Sequence, residues 1–197
     1  MDSHITLFLR GAQADYKGRS LVQLRNMTHN KLEKTHDVVQ WLFPTDLRSY
    51  HCKDAPILTP EDIRIILRDE KIQDNLDLSL GRMINFFKKD DFWITHNNHN
   101  FLRITRILRC LWLCGKIHDY VCFQKVLDDL WIDYSDIIGD SFYYWKGANN
   151  IEFLSNPEKY LPSLKSTPLP EPTHKIGPPN DIEYEDGDDQ EQLFNYT

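Results

Sequence analysis

The sequence predicts an all-α fold: a single bundle of about six helices over residues 1–155, then a disordered Pro-rich and acidic tail over 156–197. Three features point there. Apolar residues recur at three- and four-residue spacing in successive stretches, as amphipathic helices require. No stretch of any length alternates apolar and polar residues in the manner of a half-buried strand, and no internal repeat is visible. Near Asn156 the composition changes: seven of the ten prolines lie between Pro157 and Pro179, and a run of acids follows. Such a segment buries too little apolar surface to order itself.

Residues 1–28 give the weakest signal. Leu7-Phe8-Leu9-Arg10-Gly11 fits a short strand or a helix end, and Asp15, Gly18 and Arg19 punctuate a loop before Leu21-Val22-Gln23-Leu24. Asn30 followed by Glu33 has capping-box spacing and opens a helix through Trp41 to Phe43, stopped by Pro44. On such a helix Glu33, His36, Asp37 and Gln40 share about 100° of arc, with Val38, Val39 and Leu42 opposite. A loop over 45–58 leads to Thr59-Pro60, a cap followed by proline at the first helical position. Ile63, Ile66 and Leu67 continue that helix. Ile72, Leu76, Leu80, Met83, Ile84 and Phe87 form one apolar stripe on a longer helix ending at Lys88-Lys89. Phe92-Trp93-Ile94 is an aromatic anchor.

The stretch from Asn100 to Gly115 organises the rest. Ile104, Ile107, Leu108, Leu111 and Trp112 fall on one arc, while Leu102 and Leu113 lie opposite, so this helix is expected to be covered on most faces. Asn100 is the expected N-terminal cap, and Gly115 the residue that takes the left-handed closing turn. Arg103, Arg106 and Arg109 interrupt this apolar pattern at spacing three. A guanidinium cannot shed its charge, so each one that is covered needs a partner. Beyond Gly115, Tyr120, Phe123, Val126, Leu127 and Leu130 keep helical spacing, and a last short helix is expected from Asp136 through Trp145.

Composition bounds the function. The 197 residues are 41% hydrophobic and 12% aromatic, enough for a sizeable core. No apolar run approaches the roughly 20 residues of a membrane span, and Ile5–Leu9 is too short for a signal peptide. A soluble, cytoplasmic protein is expected, with Cys52, Cys110, Cys114 and Cys122 reduced. The net charge of −7 sits after Lys175, in Asp181, Glu183, Glu185, Asp186, Asp188, Asp189 and Glu191. Without these seven the 30 acids fall to 23, equal to the 23 Lys and Arg. A neutral body gives no electrostatic footprint for nucleic acid. Tyr184, Leu193, Phe194 and Tyr196 within the tail have the makings of a short docking motif.

For chemistry, the expectation is that Glu33, His36, Asp37 and Gln40 face Arg103 and Arg106 across the core, since carboxylate and guanidinium pair bidentately. That network either fixes how two helices dock or lines a pocket for a peptide terminus or another anionic ligand. His96 and His99, three apart, could add to His36 with Glu33 or Asp37 as metal ligands. Asn and His before a helix also serve as caps and turns. Cys110, Cys114 and Cys122 fit apolar packing better than a thiolate site. His36 beside Asp37 and Glu33 offers acid and base groups, yet the sequence has no GxSxG turn, P-loop or HExxH motif. Trp41, Trp93, Trp112, Trp131 and Trp145 read as core, and no cofactor is expected.

Two stretches together resemble a known family. Leu32-Glu33 with His36-Asp37-Val38-Val39-Gln40-Trp41-Leu42-Phe43-Pro44, and His99-Asn100-Phe101-Leu102-Arg103-Ile104-Thr105-Arg106-Ile107-Leu108, are similar to the signature segments of the opioid growth factor receptor conserved domain. Ala55-Pro56-Ile57-Leu58 lies between them, and the likeness covers roughly residues 8–147. Val38 and Val39 depart from the aromatic or isoleucine usual there. Vertebrate members are receptors for a growth-inhibiting opioid peptide and associate with the nucleus and nuclear envelope, the only pointer to a peripheral membrane association. This chain resembles the short bacterial forms that carry the domain alone. The resemblance implies a non-catalytic binding or regulatory module engaging a peptide or protein partner. The alternative is a hydrolase or metal-dependent enzyme using His36, Asp37 and Glu33.

Overall fold

Helices dominate because three-to-four apolar spacing recurs along the chain and side-chain caps at Ser3, Ser20, Thr28, Thr59, Asn98 and Asn150 open six of them. The structure, a computed structural model, describes residues 2–49, 52–89 and 91–166. Among these are eleven α-helices, one 3-10 turn at Asp91–Trp93 and no strand beyond a single parallel bridge between Thr45 and Ile57. The fold is all-α, with shorter and more numerous helices than the six expected. No helix is long and apolar enough to cross a membrane among the described residues.

The N-terminal half is built of short pieces. Helix α1 (His4–Arg10) is capped by Ser3, and Gly11 closes it in the left-handed region at φ 81°, so the ambiguous opening resolves as a helix. Helix α2 (Leu21–Arg25) has a capping box between Ser20 and Gln23. The helix expected from Asn30 to Phe43 is two helices: α3 (His29–Lys34), capped by Thr28, and α4 (Val38–Leu42). Thr35 between them is extended (φ −105°, ψ 97°), so Glu33, His36, Asp37 and Gln40 do not lie along one helical stripe. Helix α5 (Pro60–Ile66) follows the sequence reading closely, with a Thr59–Asp62 capping box and proline in its first turn. So does α6 (Glu70–Lys89), which buries Ile72, Leu76, Leu80 and Met83. Helix α1 packs on α5 and α6, and the Asn75 side-chain amide donates to the Leu9 carbonyl at 2.9 Å.

Helix α7 (His99–Leu113) is the inner rod, packed against α4, α8 (Ile117–Ile138) and α9 (Ser141–Lys146). Ile104, Ile107, Leu108 and Leu111 are buried. Its cap is Asn98, not Asn100, accepting from the Asn100 N–H at 2.9 Å. Asn100 is instead wholly buried as a side-chain partner. At the other end Lys116 N–H bonds to Leu111 O and Gly115 N–H to Trp112 O, the paired pattern that a left-handed glycine permits; Gly115 has φ 74°. The rod is not covered all round. Leu102 is 59% exposed and Trp112 38%, because neighbours occupy only the arc carrying the isoleucines.

Helix α8 kinks at Tyr134 (φ −133°) and runs on to Ile138, so Asp136–Ile138 belong to it and not to the following helix. Trp145 of α9 donates from Nε1 to Phe101 O at 3.0 Å, tying α9 to the rod. Helices α10 (Ile151–Ser155) and α11 (Pro157–Lys165) follow. The latter lies inside the segment expected to be a tail, and it buries no residue. The acidic run lies outside the described residues.

Candidate functional site

The three arginines of α7 lie three residues apart, so each points about 60° round the rod from the last. Each therefore meets a different segment. Arg103, 5% exposed, donates from Nη2 to the carbonyls of Leu32, Glu33 and Thr35 at 3.0, 3.3 and 3.2 Å. Those are the carbonyls freed where α3 stops, and a cation there satisfies both the lone pairs and the helix dipole. Its Nη1 donates to Asn100 Oδ1 at 2.9 Å and lies 3.7 Å from Glu33 Oε2. Arg109 forms a fork with Asp46, Nε to Oδ1 at 3.0 Å and Nη2 to Oδ2 at 2.6 Å, and donates to Asn149 O at 2.9 Å.

Arg106 differs from both. Its Nε donates to Phe43 O at 3.0 Å, at the end of α4. No carboxylate pairs with it among the described residues, and its Nη2 is buried without a hydrogen-bond partner. Burial lowers its pKa to about 10, with Cys110 and Cys52 opposing in part, so the guanidinium remains charged at neutral pH. Beside it Gln40 Oε1 is also buried with no partner. Both side chains line one cleft of about 700 Å³, together with His36, Arg48, His99 and Arg103. Leu47, Leu102 and Leu154 supply apolar wall.

The remaining residues expected at the site divide. Glu33 reaches the rod: its Oε2 accepts from Asn100 Nδ2 at 2.9 Å, and its Oε1 lies 3.5 Å from His99 Nε2. His36 packs its ring against His99, with centroids 5.1 Å apart and planes at 77°. Burial and the nearby Arg103 push the His99 pKa down, His36 adds to this, and Glu33 opposes it. Asp37 faces the other way. Its carboxylate accepts from Tyr16 Oη at 2.8 Å and from Arg19 Nη1 and Nη2 at 3.1 and 2.9 Å, and Lys17 Nζ lies 2.7 Å away. Burial would raise the Asp37 pKa, but those donors outweigh it and hold the carboxyl well below the usual range. The expected juxtaposition of Asp37 with Arg103 and Arg106 is therefore replaced by a clasp on the 15–19 loop.

His96 is exposed, and no group of three or more His, Cys, Asp or Glu side chains suited to a metal ion occurs among the described residues. Cys110 and Cys114 are buried with sulfurs 3.7 Å apart, whereas Cys122 is exposed on α8 and lies 3.6 Å from His118 Nε2. Sequence reasoning missed Asp46, Asn100 as a side-chain partner, and the Arg19 clasp. The sequence signal for them is that each covered guanidinium needs a partner.

Residues 19–92 match the family model of the opioid growth factor receptor conserved region. Over those residues the chain is similar to that conserved region. No curated protein and no solved structure matches the chain significantly. The opioid growth factor receptor match is narrower than the likeness read from the sequence and runs from the end of the clasp loop through α2–α6 to the 3-10 turn. It contains Glu33, His36, Asp37 and Gln40, while the arginines of α7 lie beyond it.

Proposed function

We propose that this protein is a non-catalytic binding module, engaging a peptide or protein partner whose acidic group enters the cleft beside α7. The supporting observation is the buried Nη2 of Arg106, a charged donor without an acceptor among the described residues. Leaving such a donor unpaired costs about 1–3 kcal/mol, which a bound carboxylate would return. One edge of the Arg106 fork is held by Phe43 O, and the side chain lines the cleft. Leu47, Leu102 and Leu154 give the neighbouring residue of a peptide an apolar seat. The dispersed arrangement of Asp37 and His36 favours this reading over the hydrolytic alternative, since Asp37 is committed to Arg19, Lys17 and Tyr16.

The test uses a fluorescently labelled hexaglutamate peptide and anisotropy at low salt. Arg106→Met is expected to weaken binding about tenfold or more, matching the 1.5–3 kcal/mol of a charged hydrogen bond. Equal binding by the wild type and Arg106→Met would overturn the reading.

A further inference from the structure

We infer that the acidic run of this same chain, residues 181–191, occupies the cleft intramolecularly and competes with any outside acidic partner. This rests on the reading that the cleft takes a carboxylate. Four guanidinium groups, those of Arg48, Arg103, Arg106 and Arg109, line the cleft. Among the described residues two carboxylates balance them: Glu33 beside Arg103 and Asp46 on Arg109. The surplus of positive charge meets seven acids with no basic residue among them, attached to a body whose own charges cancel.

Reach permits the contact. Leu154 of α10 lines the cleft; α11 begins at Pro157, packs on α10 and α9, and ends with Lys165 Nζ 2.7 Å from Asp140 Oδ1 at the start of α9. Helix α11 has 9 residues, a length of about 14 Å. From Ser166 to Asp181 there are 15 residue steps, spanning up to about 46 Å if extended as polyproline II, or about 21 Å as a flexible coil. Either distance suffices to bring acids back across a small domain. The tail also interleaves Ile182, Tyr184, Leu193 and Phe194 with its charges, which suits a cleft whose wall holds Leu102 at 59% exposure. A tether of this length gives an effective concentration in the millimolar range, so a weak contact is enough to keep the cleft occupied.

The experiment compares the full chain with a full-length variant whose tail is neutralised by Asp186→Asn, Asp188→Asn, Asp189→Asn and Glu191→Gln. All four positions lie outside the described helices. Labelled hexaglutamate is expected to bind the neutralised protein about tenfold more tightly, the ratio of a millimolar effective concentration to a dissociation constant near ~0.1 mM. The gain should vanish when Arg106→Met is added and shrink in high salt. It should also be unchanged when protein concentration rises tenfold. Equal affinity for the wild type and the neutralised protein would overturn the tail contact while leaving the cleft reading intact. Absence of binding to both would instead overturn the cleft reading. A gain that depends on protein concentration would show docking between copies and overturn the intramolecular contact.

Discussion

Arg103 and Arg106 are one helical turn apart and carry the same charge, yet their surroundings assign them opposite consequences on substitution. Arg103 satisfies three carbonyls and Asn100 at once. Arg103→Ala is expected to destabilise the fold by about 3 kcal/mol, because buried acceptors and Glu33 lose their donor together. Among the described residues Arg106 makes one hydrogen bond, to Phe43 O, and no carboxylate offsets its burial. Arg106→Met should therefore change the urea unfolding free energy by less than about 1 kcal/mol, since the apolar stem is kept and an unpaired charge is removed. Asp37→Ala is expected to cost about 3 kcal/mol by stranding Arg19 and releasing the 15–19 loop, with hexaglutamate binding unaffected. Urea titrations of the three variants check all of this, and a larger loss for Arg106→Met than for Arg103→Ala would contradict it. His99 adds a pH dependence. Its pKa is lowered from 6.5 by burial, by Arg103 and by His36, against Glu33. Below pH ~6.5 the unfolded chain takes up a proton that folded His99 refuses, so stability is full above that pH and falls as pH drops toward the lower folded value. His99→Gln should flatten the decline in urea midpoint between pH 7 and 5; an unchanged slope would exclude His99 as its source.

At the level of elements, the legible helices are those whose ends are encoded locally. Thr59 with Asp62 fixed the start of α5, and Gly115 fixed the end of α7, because a capping box and a left-handed glycine act within a few residues. The split between α3 and α4 was not legible: the carbonyls it frees are satisfied by Arg103, about 70 residues away in sequence. A distant donor leaves no mark in the local pattern. The same reason explains why the stripe of Glu33, His36, Asp37 and Gln40 was drawn on one continuous helix, and why the roles of Glu33 and Asp37 diverge. Gly115 and Gly11 allow a direct test of the helix ends. Both lie in the left-handed region, but a β-carbon at Gly115 would sit 2.7 Å from Leu67 Cδ2, whereas at Gly11 it would meet nothing within 4 Å. Gly11→Ala should cost about 1–2 kcal/mol from backbone strain alone. Gly115→Ala should cost more, and equal thermal shifts for the two would show that Leu67 yields freely.

For the whole molecule, the neutral body and acidic end were legible from composition, and so was the all-α class from the absence of alternation. The cleft was not, since its walls come from α4, the 45–49 loop, α7 and α10, segments that only tertiary packing assembles. Through its arginines α7 holds the end of α3, the end of α4 and the loop at Asp46, with Arg106 lining that cleft without a carboxylate partner among the described residues. The most direct measurement is an arginine Nε–Hε correlation spectrum of the tail-neutralised protein titrated with hexaglutamate. The Arg106 signal is predicted to shift and saturate, with Arg109 unmoved because Asp46 already fills its fork. A stationary Arg106 signal, with shifts confined to exposed Arg64 and Arg68, would contradict the account.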